Sequence, residues 1–189
     1  MQYKNLVPDH FELQWDQKQI EAGISHLART IITPWAQKIT RETGEQPLAL
    51  CVLRGGVPFF SELIQQIECS VEPAFCRTWS YRSDSNAVKR CEIEWTPVGT
   101  QFHGRTVLLV DDICDTGGTL NFLEKKLLEE GAKEIKVAVL IHRKVPNSSF
   151  HPDWSIFAYE GIEWFVGFGM EDKNRYSNFP AVFKIQPSS

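Results

Sequence analysis

The stretch Val107–Thr119, VLLVDDICDTGGT, constrains the fold of this chain more than any other. Val107, Leu108, Leu109 and Val110 form an uninterrupted apolar run with two β-branched residues, the pattern of a strand buried on both faces of a parallel sheet. Two adjacent carboxylates, Asp111 and Asp112, stand at its carboxyl end. Asp115, Thr116, Gly117, Gly118 and Thr119 then turn the chain into a helix predicted from Leu120 to Glu130. Leu120, Leu123, Leu127 and Leu128 make its apolar stripe, and Gly131 ends it.

That arrangement carries chemistry. A glycine turn opening a helix presents backbone N–H groups as a concave nest, the helix dipole adds partial positive charge, and Thr116 and Thr119 add hydroxyls. Such a turn suits a phosphate monoester. Side-by-side carboxylates just upstream suit the two hydroxyls of a ribose, and ligands of open parallel sheets lie at this end of the strands. The turn therefore fits a ribose 5-phosphate.

The stretch resembles the phosphoribosyl pyrophosphate (PRPP) signature of the type I phosphoribosyltransferases. That signature is an apolar strand, an acidic pair, two residues, Asp, Ser/Thr, Gly, any residue and Thr, and every fixed position is present here. The resemblance implies an α/β fold, a parallel twisted sheet flanked by helices with a small hood. Residues 1–189 would form a single domain, with a core of about 41–150 and a hood from about 1–40 plus 151–189.

Composition agrees with an ordinary globular chain, at 42% hydrophobic and 23% charged residues. The formal net charge of -4 offers no broad attraction to nucleic acid or to an anionic membrane, so an anionic substrate must be held by local groups. No basic segment followed by an apolar core opens the chain, and no apolar run is long enough to span a bilayer, so a cytoplasmic protein is expected. The cysteines, Cys51, Cys69, Cys76, Cys91 and Cys114, form no CxxC pair and read as reduced packing thiols.

Taken in order, Asp16 is a plausible N-cap for a helix with Ile20, Ile24, Leu27, Ile31 and Trp35 at helical spacing. Pro34 should kink or divide it before Thr43 and Gly44 end it. Pro47–Leu53 reads as a second buried strand, followed by Arg54, Gly55 and Gly56 and a helix through Phe59, Phe60, Leu63, Ile64 and Ile67. This turn is again phosphate-friendly, although a glycine turn with a surface arginine reads the same way. It resembles the pyrophosphate loop of the hypoxanthine-guanine phosphoribosyltransferases, which assigns that contact to Leu53, Arg54 and Gly55 and implies a cis Leu53–Arg54 bond. A strand within Glu72–Tyr81, a polar segment Arg82–Lys89 and an alternating run Cys91–Trp95 suggest a hairpin with a mobile loop. The family has a closing lid here, beginning at Ser80 and Tyr81.

Glu134–His142 is the next strand, with Arg143 and Lys144 at its end. In the family a Lys there reads the purine 6-oxo group, and the pattern selects either Arg143 or Lys144. Trp154–Tyr159 and Trp164–Phe168 are further strand candidates. The segment WFVGFGMEDKNRYSNFPAVF resembles the family's carboxy-terminal part. That implies purine stacking on Trp164 with Ile113 on the other side, backbone contacts from Phe165, and a carboxylate for a second magnesium ion at Glu171, where Asp is usual. A family arginine that contacts pyrophosphate falls on Ser177, with Arg175 or Lys173 as possible substitutes.

The resemblance thus implies a magnesium-dependent hypoxanthine (guanine) phosphoribosyltransferase of purine salvage, making IMP or GMP and pyrophosphate. PRPP and a purine base are the expected partners, with no nucleic acid and no membrane, in a homodimer or homotetramer. Asp111 and Asp112 would hold the ribose hydroxyls, directly or through Mg2+. Asp115, with Thr116, Gly117, Gly118 and Thr119, would hold the 5-phosphate, and Asp115 would also serve as general base for the purine N7 proton. The competing expectations are a xanthine phosphoribosyltransferase and a non-catalytic PRPP or nucleotide sensor on the same fold. A sensor needs the nest but no proton acceptor, so Asp115 argues for catalysis.

Overall fold

The computed structural model describes residues 6–82, 91–97, 100–146, 148 and 150–185. A short strand, β1 (Glu12–Trp15), leads into helix α1 (Gln17–His26). Asp16 caps α1 reciprocally: its Oδ1 accepts from the Gln19 amide at 2.9 Å, and Gln19 Oε1 accepts from the Asp16 amide at 2.9 Å. The interruption expected at Pro34 is present, but as a π-helical turn over Leu27–Ile32 that runs on into α2 (Thr33–Thr43). The wider ladder leaves room for a residue with no N–H, and Pro34 sits in the first turn of α2. Gly44, at φ 76°, closes α2.

Strand β2 (Leu48–Leu53), helix α3 (Val57–Ile64), strands β3 (Glu72–Arg82), β4 (Cys91–Pro97) and β5 (Thr106–Cys114), helix α4 (Gly118–Glu129), and strands β6 (Glu134–Arg143), β7 (Trp154–Tyr159), β8 (Trp164–Val166) and β9 (Val182–Ile185) follow. The large sheet has the order β4-β3-β2-β5-β6-β7. Its pairings from β3 to β7 are parallel, and β4 joins the edge antiparallel. Alternation along the strands sorts two cores. Ala49, Cys51, Leu108, Val110, Ala138 and Leu140 face α1 and α3, whereas Leu48, Leu50, Val107, Leu109, Val137 and Val139 face α4. Both faces are therefore covered, as the continuous apolar runs require.

The small sheet has the order β1-β9-β8 and is antiparallel. Its own core is Val166, Phe179, Ala181 and Phe183. Trp15 ties it to the large layer by stacking on Phe157 with ring centroids 4.5 Å apart. The layers do not divide at residues 40 and 151. The apolar stripe of α1 and the π turn, Ile20, Ile24 and Leu27, buries on the large sheet, and β7 is a strand of that sheet. The hood sheet thus draws on β1 and on β8 and β9 only. The strand expected over Trp164–Phe168 stops at Val166, because Gly167 (φ 96°) and Phe168 (φ 47°) turn the chain. Among the described residues no helix is long and apolar enough to cross a membrane.

Candidate active site

Strand β5 is central, and its pairing explains why the acidic pair borders a cleft. It pairs with β2 only as far as Val110, opposite Cys51, but continues beside β6 to Cys114, opposite His142. Asp111 and Asp112 therefore run past the last β2 pairing and face a cleft. Asp111 Oδ1 accepts from the Asp112 amide at 2.9 Å, and Asp112 Oδ1 from the Ile113 amide at 2.8 Å. Burial, reinforced by the neighbouring Asp112 charge, pushes the Asp111 carboxyl well above the usual range, and burial raises Asp112 too. Such a pair favours a ligand that brings hydroxyl donors or positive charge.

After β5 the chain turns at Gly117, whose φ of 81° belongs to the left-handed region. A Cβ there would also lie 2.4 Å from Phe150 Cβ, so only glycine fits. Helix α4 begins at Gly118, two residues before the expected start at Leu120, so the amides of Gly118 and Thr119 belong to its first turn. These early amides have no intrahelical acceptor and form the nest. Cys114 is buried, with its Sγ 3.9 Å from the Phe150 carbonyl oxygen and its thiol pushed up to about 11, and it acts as a packing residue.

Two adjoining cavities open over these elements, one of about 430 Å³ and one of about 320 Å³. They share Leu53, Gly55, Thr78, Asp112, Ile113 and Asp115. The smaller continues over Thr116–Thr119, and the larger reaches Arg54, Arg143, Trp164, Phe165 and Glu171. The Leu53–Arg54 peptide bond is cis. Gly55 abuts the acidic pair so closely that a Cβ on it would fall 2.1 Å from Asp112 Oδ2. On the other side, a Cβ at Gly169 of the hood would fall 2.0 Å from the Gly55 carbonyl oxygen. The loop is thus held between β5 and the hood.

Arg54 bridges to that hood. Its Nη2 lies 3.2 Å from Glu171 Oε2 and 3.1 Å from Asn174 Oδ1. Trp164 is 56% exposed, and its Nε1 donates to the Glu171 carbonyl at 2.9 Å. Phe165, the next residue of β8, is buried against Trp15 and Tyr159. Of the two basic candidates, Arg143 reaches the larger cavity, while Lys144 is exposed and outside its lining. Arg143 is buried, donates to the carbonyl oxygens of Gly161 and Glu163, and lies over the Phe165 ring at 4.8 Å. Its Nε is 3.1 Å from Asp115 Oδ1 without an aligned hydrogen bond, so this contact is a coulombic pair.

Arg77 and Thr78 also line the larger cavity, and sequence reasoning did not single them out. Register supplies the signal it lacked, since Arg77 pairs with Leu53 at the end of β2. Neither Arg175, whose guanidinium lies over the Tyr176 ring at 5.4 Å, nor Lys173 reaches the lining. Ser177 contributes a backbone carbonyl that accepts from the Gly169 amide at 2.9 Å. Ser80 and Tyr81 belong to β3, opposite Ile93 and Glu92. The rest of the expected lid, from 83, lies outside the described residues.

A parallel sheet whose central strand ends in an acidic pair and a glycine turn, beside a second glycine loop and under a small hood, defines an α/β protein that binds a phosphorylated ribose. Comparison with known proteins makes this specific. The phosphoribosyl transferase domain matches residues 16–173. A hypoxanthine-guanine phosphoribosyltransferase of Lactococcus lactis is 36% identical over 151 residues, covering 79% of this chain and 81% of its own. Among solved structures, a hypoxanthine-guanine-xanthine phosphoribosyltransferase is 26% identical, covers 95% of this chain and 99% of its own, and superposes with a TM-score of 0.71. A hypoxanthine phosphoribosyl transferase of Trypanosoma cruzi, at 19% identity, covers 96% of this chain and 94% of its own with a TM-score of 0.79, which speaks to the fold alone. This chain belongs to the phosphoribosyl transferase domain family.

Proposed function

We propose that the protein transfers the 5-phosphoribosyl group of PRPP to a 6-oxopurine, hypoxanthine or guanine, giving IMP or GMP and pyrophosphate. The observation that carries this reading is the position of Asp115 on the shared wall of the two cavities. One cavity has a phosphate nest, and the other has an exposed aromatic face of the kind that suits a flat base. The relatives named for hypoxanthine and guanine support the choice of base.

In this reading the turn from Asp115 to Thr119 binds the 5-phosphate, and Asp111 and Asp112 bind the ribose hydroxyls. Ile113 and Trp164 sandwich the purine, with Phe165 at its edge. Arg143 has five N–H donors and spends two on carbonyls, which leaves others for a 6-oxo acceptor. Adenine offers an amino donor at that position and would not match it. Asp115 accepts the N7 proton as the glycosidic bond forms, its carboxylate held in direction by Arg143. Leu53, Arg54 and Gly55 take the pyrophosphate, whose negative charge grows as it leaves.

The donor set also fits Mg2+. Glu171 and Asp112 put carboxylates on one cavity wall each, and no cluster of three metal-ligating side chains occurs among the described residues. A hard cation held by one or two carboxylates takes its remaining oxygens from phosphates and water, as magnesium does. Asp111 and Asp112 would hold one ion beside the ribose hydroxyls and Glu171 a second, and when bound they would supply charge neutralisation of the leaving pyrophosphate.

The test is an assay of purified protein with PRPP and magnesium, offered hypoxanthine, guanine, xanthine and adenine in parallel. Nucleotide should form from hypoxanthine or guanine, and Asp115→Asn should lower turnover by about 100-fold or more while PRPP binding persists. A xanthine-only product would reassign the base. No product from any base, with PRPP still bound in calorimetry, would make the protein a sensor.

A further inference from the structure

We infer that Asn174 is a positioning residue for the pyrophosphate end of the site. It is a neutral acceptor that keeps Arg54 aimed at the leaving group when Glu171 is drawn to a divalent cation. The inference rests on the proposed transferase reading and adds to it a residue that neither the sequence pattern nor the signature marks.

Arg54 needs such support. Its side chain is 68% exposed, and a long guanidinium on an open wall gives up rotamer freedom to hold one direction. Among the described residues its side chain is held through Nη2 alone, shared between Glu171 (Oε2 at 3.2 Å, Oε1 at 3.5 Å) and Asn174 Oδ1 at 3.1 Å. These acceptors respond differently to ligands. A divalent cation competes with Arg54 for the Glu171 carboxylate, and pyrophosphate competes with that carboxylate for Arg54. Asn174 carries no charge and competes with neither, so its contact survives loading.

The turn that carries Asn174 is built rather than loose. The Asp172 amide donates to the Arg175 carbonyl at 3.1 Å, and the Arg175 amide donates back to Asp172 at 3.0 Å. Between them Lys173 and Asn174 have φ of 51° and 62°, the pair of left-handed residues of a type I′ turn. Behind the turn, Gly169 abuts the Gly55 carbonyl, so hood and pyrophosphate loop are already seated on each other. Asn174 therefore has two separable reasons to be asparagine, tolerance of the left-handed backbone and the amide oxygen on Arg54.

Asn174→Gly separates them, because glycine keeps the turn and deletes the amide. Pyrophosphate binding is measured by calorimetry for wild type, Asn174→Gly and Asn174→Ala, with magnesium and with chelator, beside melting temperatures and the KM for the purine. Asn174→Gly should weaken pyrophosphate binding about 3- to 10-fold in magnesium, the range for losing one exposed bond to a charged group. The loss should be smaller in chelator, where Glu171 still holds Arg54, and the purine KM and melting temperature should stay near wild type. Wild-type affinity in Asn174→Gly, or an equal loss with and without magnesium, would overturn the inference. If wild type itself binds no pyrophosphate, the reading of the whole site fails, and this inference with it.

Discussion

Gly117 and Gly118 are neighbours in one turn, yet replacing them with alanine should have opposite consequences. Gly117 has φ 81°, and its added Cβ would sit 2.4 Å from Phe150 Cβ. The left-handed backbone costs a residue with a Cβ roughly 1–2 kcal/mol. Forcing a methyl into a packed contact adds about 1–3 kcal/mol. Phe150 is itself buried in the core over α4, so it yields little. Gly117→Ala should therefore lose about 2–5 kcal/mol, which for a chain of this size lowers the melting temperature by roughly 5–15 °C. At Gly118 the nearest atom to an added Cβ is Thr116 Oγ1 at 3.8 Å, an ordinary contact, and the residue is helical. Gly118→Ala should be neutral or gain about 0.5 kcal/mol through the unfolded state. Urea unfolding without ligand reads both, as a midpoint shift at unchanged slope. Equal destabilisation of the two variants, or a Gly117→Ala melting point at the wild-type value, would refute the argument from backbone and Phe150.

Trp164→Ala removes the ring of a residue that is more than half exposed, so it should raise the KM for the purine about 10-fold or more and leave the KM for PRPP and the melting point much less affected. An unchanged purine KM would remove the stack. Glu171→Gln should raise the magnesium concentration needed for half-maximal rate, and an identical magnesium titration would take Glu171 out of the metal site. His142 is pushed below its ordinary pKa of 6.5 first by burial, then by His151 and Lys144. The unfolded chain therefore takes up the proton before the native protein does, so stability present above pH 6.5 is lost as pH falls below it. His142→Gln should flatten the fall of melting temperature between about pH 7 and pH 5. A slope equal to wild type would show that His142 is not its source.

The centre of the large sheet was legible because β2, β5 and β6 are largely buried and so announce themselves as apolar runs. Leu48–Leu53, Val107–Val110 and Ile135–Ile141 need no partner to be recognised. A hood was expected, but two of its three strands were not legible, for the converse reason. β1 and β9 are four residues each, with mixed burial, and their pairing of Glu12 with Lys184 spans almost the whole chain. The Lys184–Glu12 ion pair at 3.0 Å is equally invisible to a local pattern. Helix α1 shows the limit of assigning layers by chain position. Its stripe of Ile20 and Ile24 reads as a buried face, but only the three-dimensional packing says that the helix lies against α3 and β7 of the large layer.

The site divides along the same line. The nest and acidic pair are contiguous in sequence, so a local pattern sufficed. The choice between Arg143 and Lys144 was open, and strand parity could not close it: Ile141 packs with Leu140 rather than with Val139, so simple alternation fails near the end of β6. Nor does parity supply the reason a guanidinium is stable there. Burying a cation costs several kcal/mol unless its donors and charge are met. Arg143 meets them with the carbonyl oxygens of Gly161 and Glu163, the Asp115 carboxylate, and the face of Phe165. Carbonyl oxygens belong to every residue and leave no mark in a sequence. A cation whose partners are carbonyls of a distant loop is therefore found only once the hood is folded over it. The same guanidinium holds both that loop and Asp115, the base in the proposed reaction, so the loop and this carboxylate share one anchor.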